Sequence, residues 1–162
     1  MKTQYRLAVA LLVATVVLTI GTYVRWWDLY VPLGPVTLVH LLVIVGAAYI
    51  LVFVPVYSYA KRHSRDARVP LLKAHVFGNL AAFLLISVHF AQQLGRTDQG
   101  APLAGTGLAA YILVAIIVAT GFMQRFGISP AHRGTWRFIH IGLALSLYVV
   151  VIVHAARNFG LF

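Results

Sequence analysis

The sequence predicts an all-α integral membrane protein, a bundle of five transmembrane helices forming one domain over residues 1–162. Three observations predict it. Hydrophobic residues make up 61% of the chain and charged residues only 10%, whereas a soluble domain carries roughly a quarter charged. Five apolar runs are long enough to cross the hydrocarbon core, which takes about 20 residues in a helix. The remaining charges are lopsided, with 13 Lys and Arg against 3 acidic residues, and they sit between the runs.

The first run spans about residues 7–24 and follows Lys2 and Arg6. A signal peptide opens in the same way, but this run is longer than a typical signal core and no small-residue cleavage site follows it, so it reads as a retained helix. The second run covers about 36–57, after Pro32, Gly34 and Pro35 break the chain. The third covers about 74–94. The fourth covers about 103–123, after a turn-rich stretch with Gly95, Gly100 and Pro102. The fifth covers about 138–156, after Gly127, Ser129 and Pro130. These connections have turn chemistry and are too short to be domain linkers. No sequence repeat stands out. Trp26, Trp27, Tyr30, Tyr57, Tyr59 and Trp136 fall near helix ends, where an aromatic belt belongs.

A pI near 10.6 would suggest nucleic acid in a soluble chain. Here the basic residues follow membrane topology, and no nucleic-acid partner is expected. Ten of the 13 Lys and Arg lie at the N-terminus, between the second and third runs, or between the fourth run and the start of the fifth. Arg25, Arg96 and Arg157 lie on the other side. The positive-inside rule therefore expects a cytoplasmic N-terminus and an outer C-terminus in a prokaryotic plasma membrane, with lipid as a partner. Without Cys, thiolate ligands, iron–sulfur clusters and Cys nucleophiles are excluded.

Histidine placement carries the chemistry. His40, His75, His89, His140 and His154 fall inside the apolar runs, where ionisable groups are costly and tend to be functional. His75 and His89 are 14 residues apart on the third helix, and His140 and His154 are 14 apart on the fifth. Fourteen residues is close to four turns, so each pair shares a face to within about 40° and is separated by roughly 21 Å along the axis. One helix intervenes, so the third and fifth helices run the same way. That puts His75 and His140 at the cytoplasmic depth and His89 and His154 at the outer depth. Two imidazoles at each of two depths suit two six-coordinate haems held between helices three and five. Without a Cys-x-x-Cys-His sequence the haems would be non-covalent, two haem b per chain. Gly78, Ala81, Ala82, Ser87, Gly142 and Ala144 would leave room for flat macrocycles.

A single membrane histidine is as readily a packing residue bonded to a carbonyl or hydroxyl; two equal spacings on parallel helices favour ligation. Zinc and non-haem iron gather three or four ligands at one depth, whereas here there are two, with no Asp, Glu or Cys in any span. The same absence argues against a carboxylate-driven pump. His40, near the outer end of the second helix, could meet a propionate, handle a proton, compete as a ligand or simply pack. His63 and His132 lie in basic loops. Haem propionates need cationic partners, and Lys73, Arg137, Arg157 and Arg96 flank the ligand positions, with Arg137 and Arg157 the first choices.

With those residues in place, the pattern resembles the ferric reductase-like transmembrane family, which includes the membrane parts of NADPH oxidases and ferric reductases and the haem subunit of the bacterial periplasmic methionine sulfoxide reductase system. The matching segments are Lys73-Ala74-His75 through His89-Phe90 and Trp136-Arg137-Phe138-Ile139-His140 through His154-Ala155. The resemblance covers roughly the last 90 residues; the first two helices match only in being helices. The family core has six spans and its oxidases carry a nucleotide domain, whereas five spans and no Gly-rich nucleotide loop are read here.

The function expected is transmembrane electron transfer through two bis-histidine b-type haems, in an oxidoreductase or its electron-transfer subunit. The donor would be cytoplasmic or in the membrane, a quinol or a flavoprotein, and the acceptor would lie on the outer side. With both axial positions filled, no catalysis at iron is expected. Two other readings stand beside it: a haem-binding anchor or quinol-reactive subunit of a larger oxidoreductase complex, and a haem-free transporter.

Overall fold

A computed structural model describes residues 2–34, 36–64, 66–95, 105–128, 130–158 and 160–161. Five helices dominate: α1 (Lys2–Tyr23), α2 (Leu38–His63), α3 (Arg68–Leu94), α4 (Thr106–Phe126) and α5 (Arg133–Asn158). Each is long and apolar enough to cross a membrane, with mean hydropathy of 1.7 to 2.5 over its most apolar window. Each predicted span coincides with one of these helices, but most helices are longer. α2 runs on through Lys61, Arg62 and His63, and α3 and α5 begin in basic sequence at Arg68 and Arg133. Apolarity marks only the stretch that meets hydrocarbon, while helical hydrogen bonding continues into polar sequence.

By its internal contacts the chain divides into two compact units, Met1–Thr97 with α1, α2 and α3, and Asp98–Phe162 with α4 and α5.

In the first unit α3 packs against both α1 and α2. Small residues set the approach of α2. A Cβ on Gly46 would stand 3.0 Å from the Ala82 carbonyl oxygen and 3.3 Å from Leu85 Cβ. The Tyr49 ring occupies the space that a side chain at Gly78 would need, and its hydroxyl donates to the Ala74 carbonyl at 2.7 Å. Close backbone approach across small residues is how helices associate in lipid, where tails offer no hydrophobic gradient between them. Pro55 lies inside α2 and removes one backbone donor there.

α1 closes with a double turn: Trp26 N–H donates to Gly21 O at 2.9 Å and Arg25 N–H to Thr22 O at 3.2 Å. This Schellman geometry puts a left-handed residue at its hinge, and here that residue is Arg25, with φ of 60°. Its guanidinium donates to the Gly95 carbonyl at 2.7 Å, joining the C-terminal ends of α1 and α3. These two helices therefore run parallel, with α2 antiparallel between them in sequence. Trp27 packs over Gly21 and donates from Nε1 to Thr22 Oγ1 at 3.0 Å. Between α1 and α2 a small hairpin, β1 (Pro32–Leu33) and β2 (Val36–Thr37), pairs antiparallel, with Gly34 at φ of 67° in its turn.

In the second unit α4 and α5 pack antiparallel, joined through a single 3₁₀ turn at Pro130–His132. Gln124 Nε2 donates to the Trp136 carbonyl at 3.0 Å near that connection.

Large apolar side chains are exposed on the helices: Val52, Phe138, Leu145, Val149 and Ile152 are all more than 60% exposed. Buried positions are mostly small or β-branched, among them Ala8, Val39, Ala82, Ser87, Ala91 and Thr120. Helices with exposed large apolar side chains and small residues at their contacts are what hydrocarbon solvent selects.

Candidate functional site

His140 is the most tightly defined of the histidines. From α5 its Nδ1 lies 3.0 Å from the Ile117 carbonyl oxygen and 3.1 Å from Thr120 Oγ1, both on α4. A carbonyl can only accept, so Nδ1 carries the proton. The Thr120 hydroxyl lies 2.9 Å and 3.0 Å from the carbonyls of Ile116 and Ile117. Its one hydrogen is thus committed to the backbone, and its oxygen accepts from the ring. The imidazole is held as the Nδ1–H tautomer, which leaves the Nε2 lone pair as its basic site. Gly121 makes this possible, since a Cβ there would stand 3.0 Å from His140 Cε1.

His154 meets a second Thr-Gly pair of α4 one register further along the same helix pair, without a carbonyl contact among the described residues that would fix its tautomer. Its Nδ1 is 3.0 Å from Thr106 Oγ1, and a Cβ on Gly107 would stand 3.1 Å from its Cε1. Asn158, one turn along α5, donates to the His154 carbonyl at 2.8 Å and brings its amide within 3.4 Å of the ring.

In the first unit His75 stacks on Tyr57 with ring centroids 4.5 Å apart and planes 15° from parallel. The Lys61 ammonium sits 4.7 Å from the Tyr57 ring on α2. One turn along α3, Asn79 Nδ2 lies 3.1 Å from His75 Nδ1 while Asn79 Oδ1 is buried with no partner. As placed, the amide nitrogen donates to His75 Nδ1; a half-turn of the amide reverses that bond and makes Nδ1 the donor.

His89 meets His40 edge-on, with ring centroids 5.4 Å apart. His40 is anchored in turn, its Nδ1 2.7 Å from Thr37 Oγ1. Next to His89 on α3, the Ser87 hydroxyl and Gln92 Oε1 are buried without hydrogen-bond partners.

Each unit thus carries one of the equally spaced pairs, His75 and His89 on α3 and His140 and His154 on α5. All four rings are partly buried. Lys73, Arg137 and Arg157 have exposed side chains, and Arg96 lies outside the described residues. His63 stacks on Tyr59 and pairs with its carbonyl at 2.9 Å, and His132 is exposed in the 3₁₀ turn. Among the described residues no three or more His, Cys, Asp or Glu side chains come together as a metal centre. A bis-imidazole haem asks for two ligands at each iron, not three.

The partners of the rings were not anticipated from sequence. The signal was there for one set: Thr106-Gly107 and Thr120-Gly121 are themselves 14 residues apart, a short repeat where none was expected. Thr and Gly are too common in membrane helices for that spacing to speak before the helix pairing is known.

Comparison with family models, with curated proteins and with solved structures finds no match for this chain.

Proposed function

We propose that the chain is a di-haem b-type membrane cytochrome, similar to the ferric reductase-like transmembrane family, that carries electrons from a cytoplasmic or membrane donor to an acceptor on the outer side. The donor class is a quinol or a flavoprotein. His75 of α3 and His140 of α5 would hold one haem, and His89 and His154 the other. When bound, the haems supply the one-electron couple.

The observation that carries this reading is the fixed tautomer of His140. A metal-ligating imidazole donates its second ring nitrogen to a carbonyl or hydroxyl, which fixes the ring and raises the basicity of the ligating nitrogen. His140 has that arrangement on α4; His154 faces a second Thr-Gly pair at the same spacing, and His75 has Asn79 as its polar neighbour one turn along α3. The chain's own residues then have separable tasks. The histidines ligate. The α4 threonines and Asn79 orient them. The apolar helices exclude water and lower the local dielectric. Lys73, Arg137, Arg157 and Arg96 are the cations available to the propionates, whose negative charge needs compensation at the membrane boundary.

Haem content tests the reading. Acid–acetone should extract the pigment, and a pyridine haemochrome assay on the purified protein should return about two haem b per chain, since bis-His ligation uses four histidines in two pairs. A value near one or zero contradicts it.

A further inference from the structure

The second unit contains a pattern that neither the histidines nor the loops account for. In α4, Thr106-Gly107 and Thr120-Gly121 stand 14 residues apart, the same interval as His140 and His154 in α5. Because α4 and α5 are antiparallel, the two intervals match in one register, Thr120-Gly121 against His140 and Thr106-Gly107 against His154. At each meeting the threonine oxygen lies 3.0 to 3.1 Å from Nδ1 and the glycine faces Cε1 at 3.0 to 3.1 Å from where its Cβ would be. A hydroxyl at one position and hydrogen at the next are both needed. The first supplies a hydrogen-bond partner, an acceptor at Thr120 where the hydroxyl hydrogen goes to the backbone, and the second lets the α4 backbone come close enough for that oxygen to reach the ring.

We infer that α4 is a positioning helix whose two Thr-Gly pairs set the orientation and donor strength of the two α5 histidines, Thr120 for His140 and Thr106 for His154. This rests on the di-haem reading above. Accepting a hydrogen bond from Nδ1–H gives the imidazole partial imidazolate character and makes Nε2 the stronger donor. A stronger axial donor favours ferric over ferrous iron. Each threonine therefore holds down the midpoint potential of one haem and not of the other. The Ile117 carbonyl stays in place at His140, so loss of the Thr120 hydroxyl weakens the effect there without abolishing it. His154 has no such carbonyl contact among those described, and the Thr106 effect should be the larger of the two.

The test is a redox titration of the purified full-length protein, followed optically, after haem content has been measured on the unsubstituted chain. Thr120→Val should raise the midpoint of one component, and Thr106→Val should raise the other by more. Thr120→Ser and Thr106→Ser, which keep the hydroxyl, should leave both near their original values, an outcome that loss of packing alone would not give. Should a valine variant fail to assemble, Gly121→Ala and Gly107→Ala take its place. They retain the hydroxyl but force the ring aside, and each should shift the same single component as its threonine neighbour. Two haems per chain with both midpoints unmoved in the valine or alanine variants would overturn the positioning role and leave the di-haem reading standing. Absence of haem from the unsubstituted protein would overturn the di-haem reading itself.

Discussion

At the scale of single residues, the histidines spoke early and their partners did not. An ionisable side chain in an apolar run is rare enough to draw attention by itself, and equal spacing on two helices made four of them a set. The groups that touch the rings are Thr106, Thr120, Asn79, Gly107 and Gly121. These residue types serve equally well as helix-packing residues in membranes, so their meaning depends on which helix lies opposite and in what register. His40 is the instructive case. From sequence its depth left it several roles, from ligand to packing residue. In the structure its Nδ1 is 2.7 Å from Thr37 and its ring stands at the edge of His89. The Thr37 contact is of the same kind as those of His140 and His154, so it is the equal spacing of the other four histidines that sets His40 apart and gives it the task of steadying His89. His40→Ala should therefore leave haem content at about two per chain, with any spectral change confined to one component. Loss of a haem in that variant would make His40 a ligand.

At the scale of elements, the presence and order of five helices were legible because hydropathy reports the solvent that each segment meets. Their ends were less so. The run placed at about 36–57 starts two residues later and extends to His63, because Val36 and Thr37 pair with Pro32 and Leu33 in the hairpin, and because Lys61, Arg62 and His63 suit the negative end of a helix dipole. The Arg25 turn was also hidden. Its left-handed backbone, usual for glycine, accompanies a guanidinium contact to Gly95 that links residues 70 positions apart, and no local pattern announces such a contact. The fourth helix begins at Thr106, and the start expected for it near residue 103 lies outside the described residues. The short Thr-Gly interval in α4 was readable in principle. It becomes informative only beside the matching histidine interval in α5, once the two helices are known to be neighbours.

At the scale of the whole molecule, charge is the property that the sequence states most openly. The chain has a net charge of +10 and five helices long and apolar enough to cross a membrane, and a five-span topology would put ten of the 13 basic residues on the side of the N-terminus. The positive-inside rule expects that side to face the cytoplasm. An alkaline phosphatase fusion after residue 162 should then be active, and a cytoplasmic reporter at the same point inactive. The reverse pattern would exchange the entry and exit sides of the proposed electron path.

The central claim is that α3 and α5 each contribute one imidazole to each of two haems. Spectra of four single variants test it most directly. If the account holds, His75→Ala and His140→Ala remove the same spectral component from the reduced-minus-oxidised spectrum, and His89→Ala and His154→Ala remove the other. If His75→Ala matches His154→Ala instead, or if none of the four substitutions removes haem absorbance, the account is wrong.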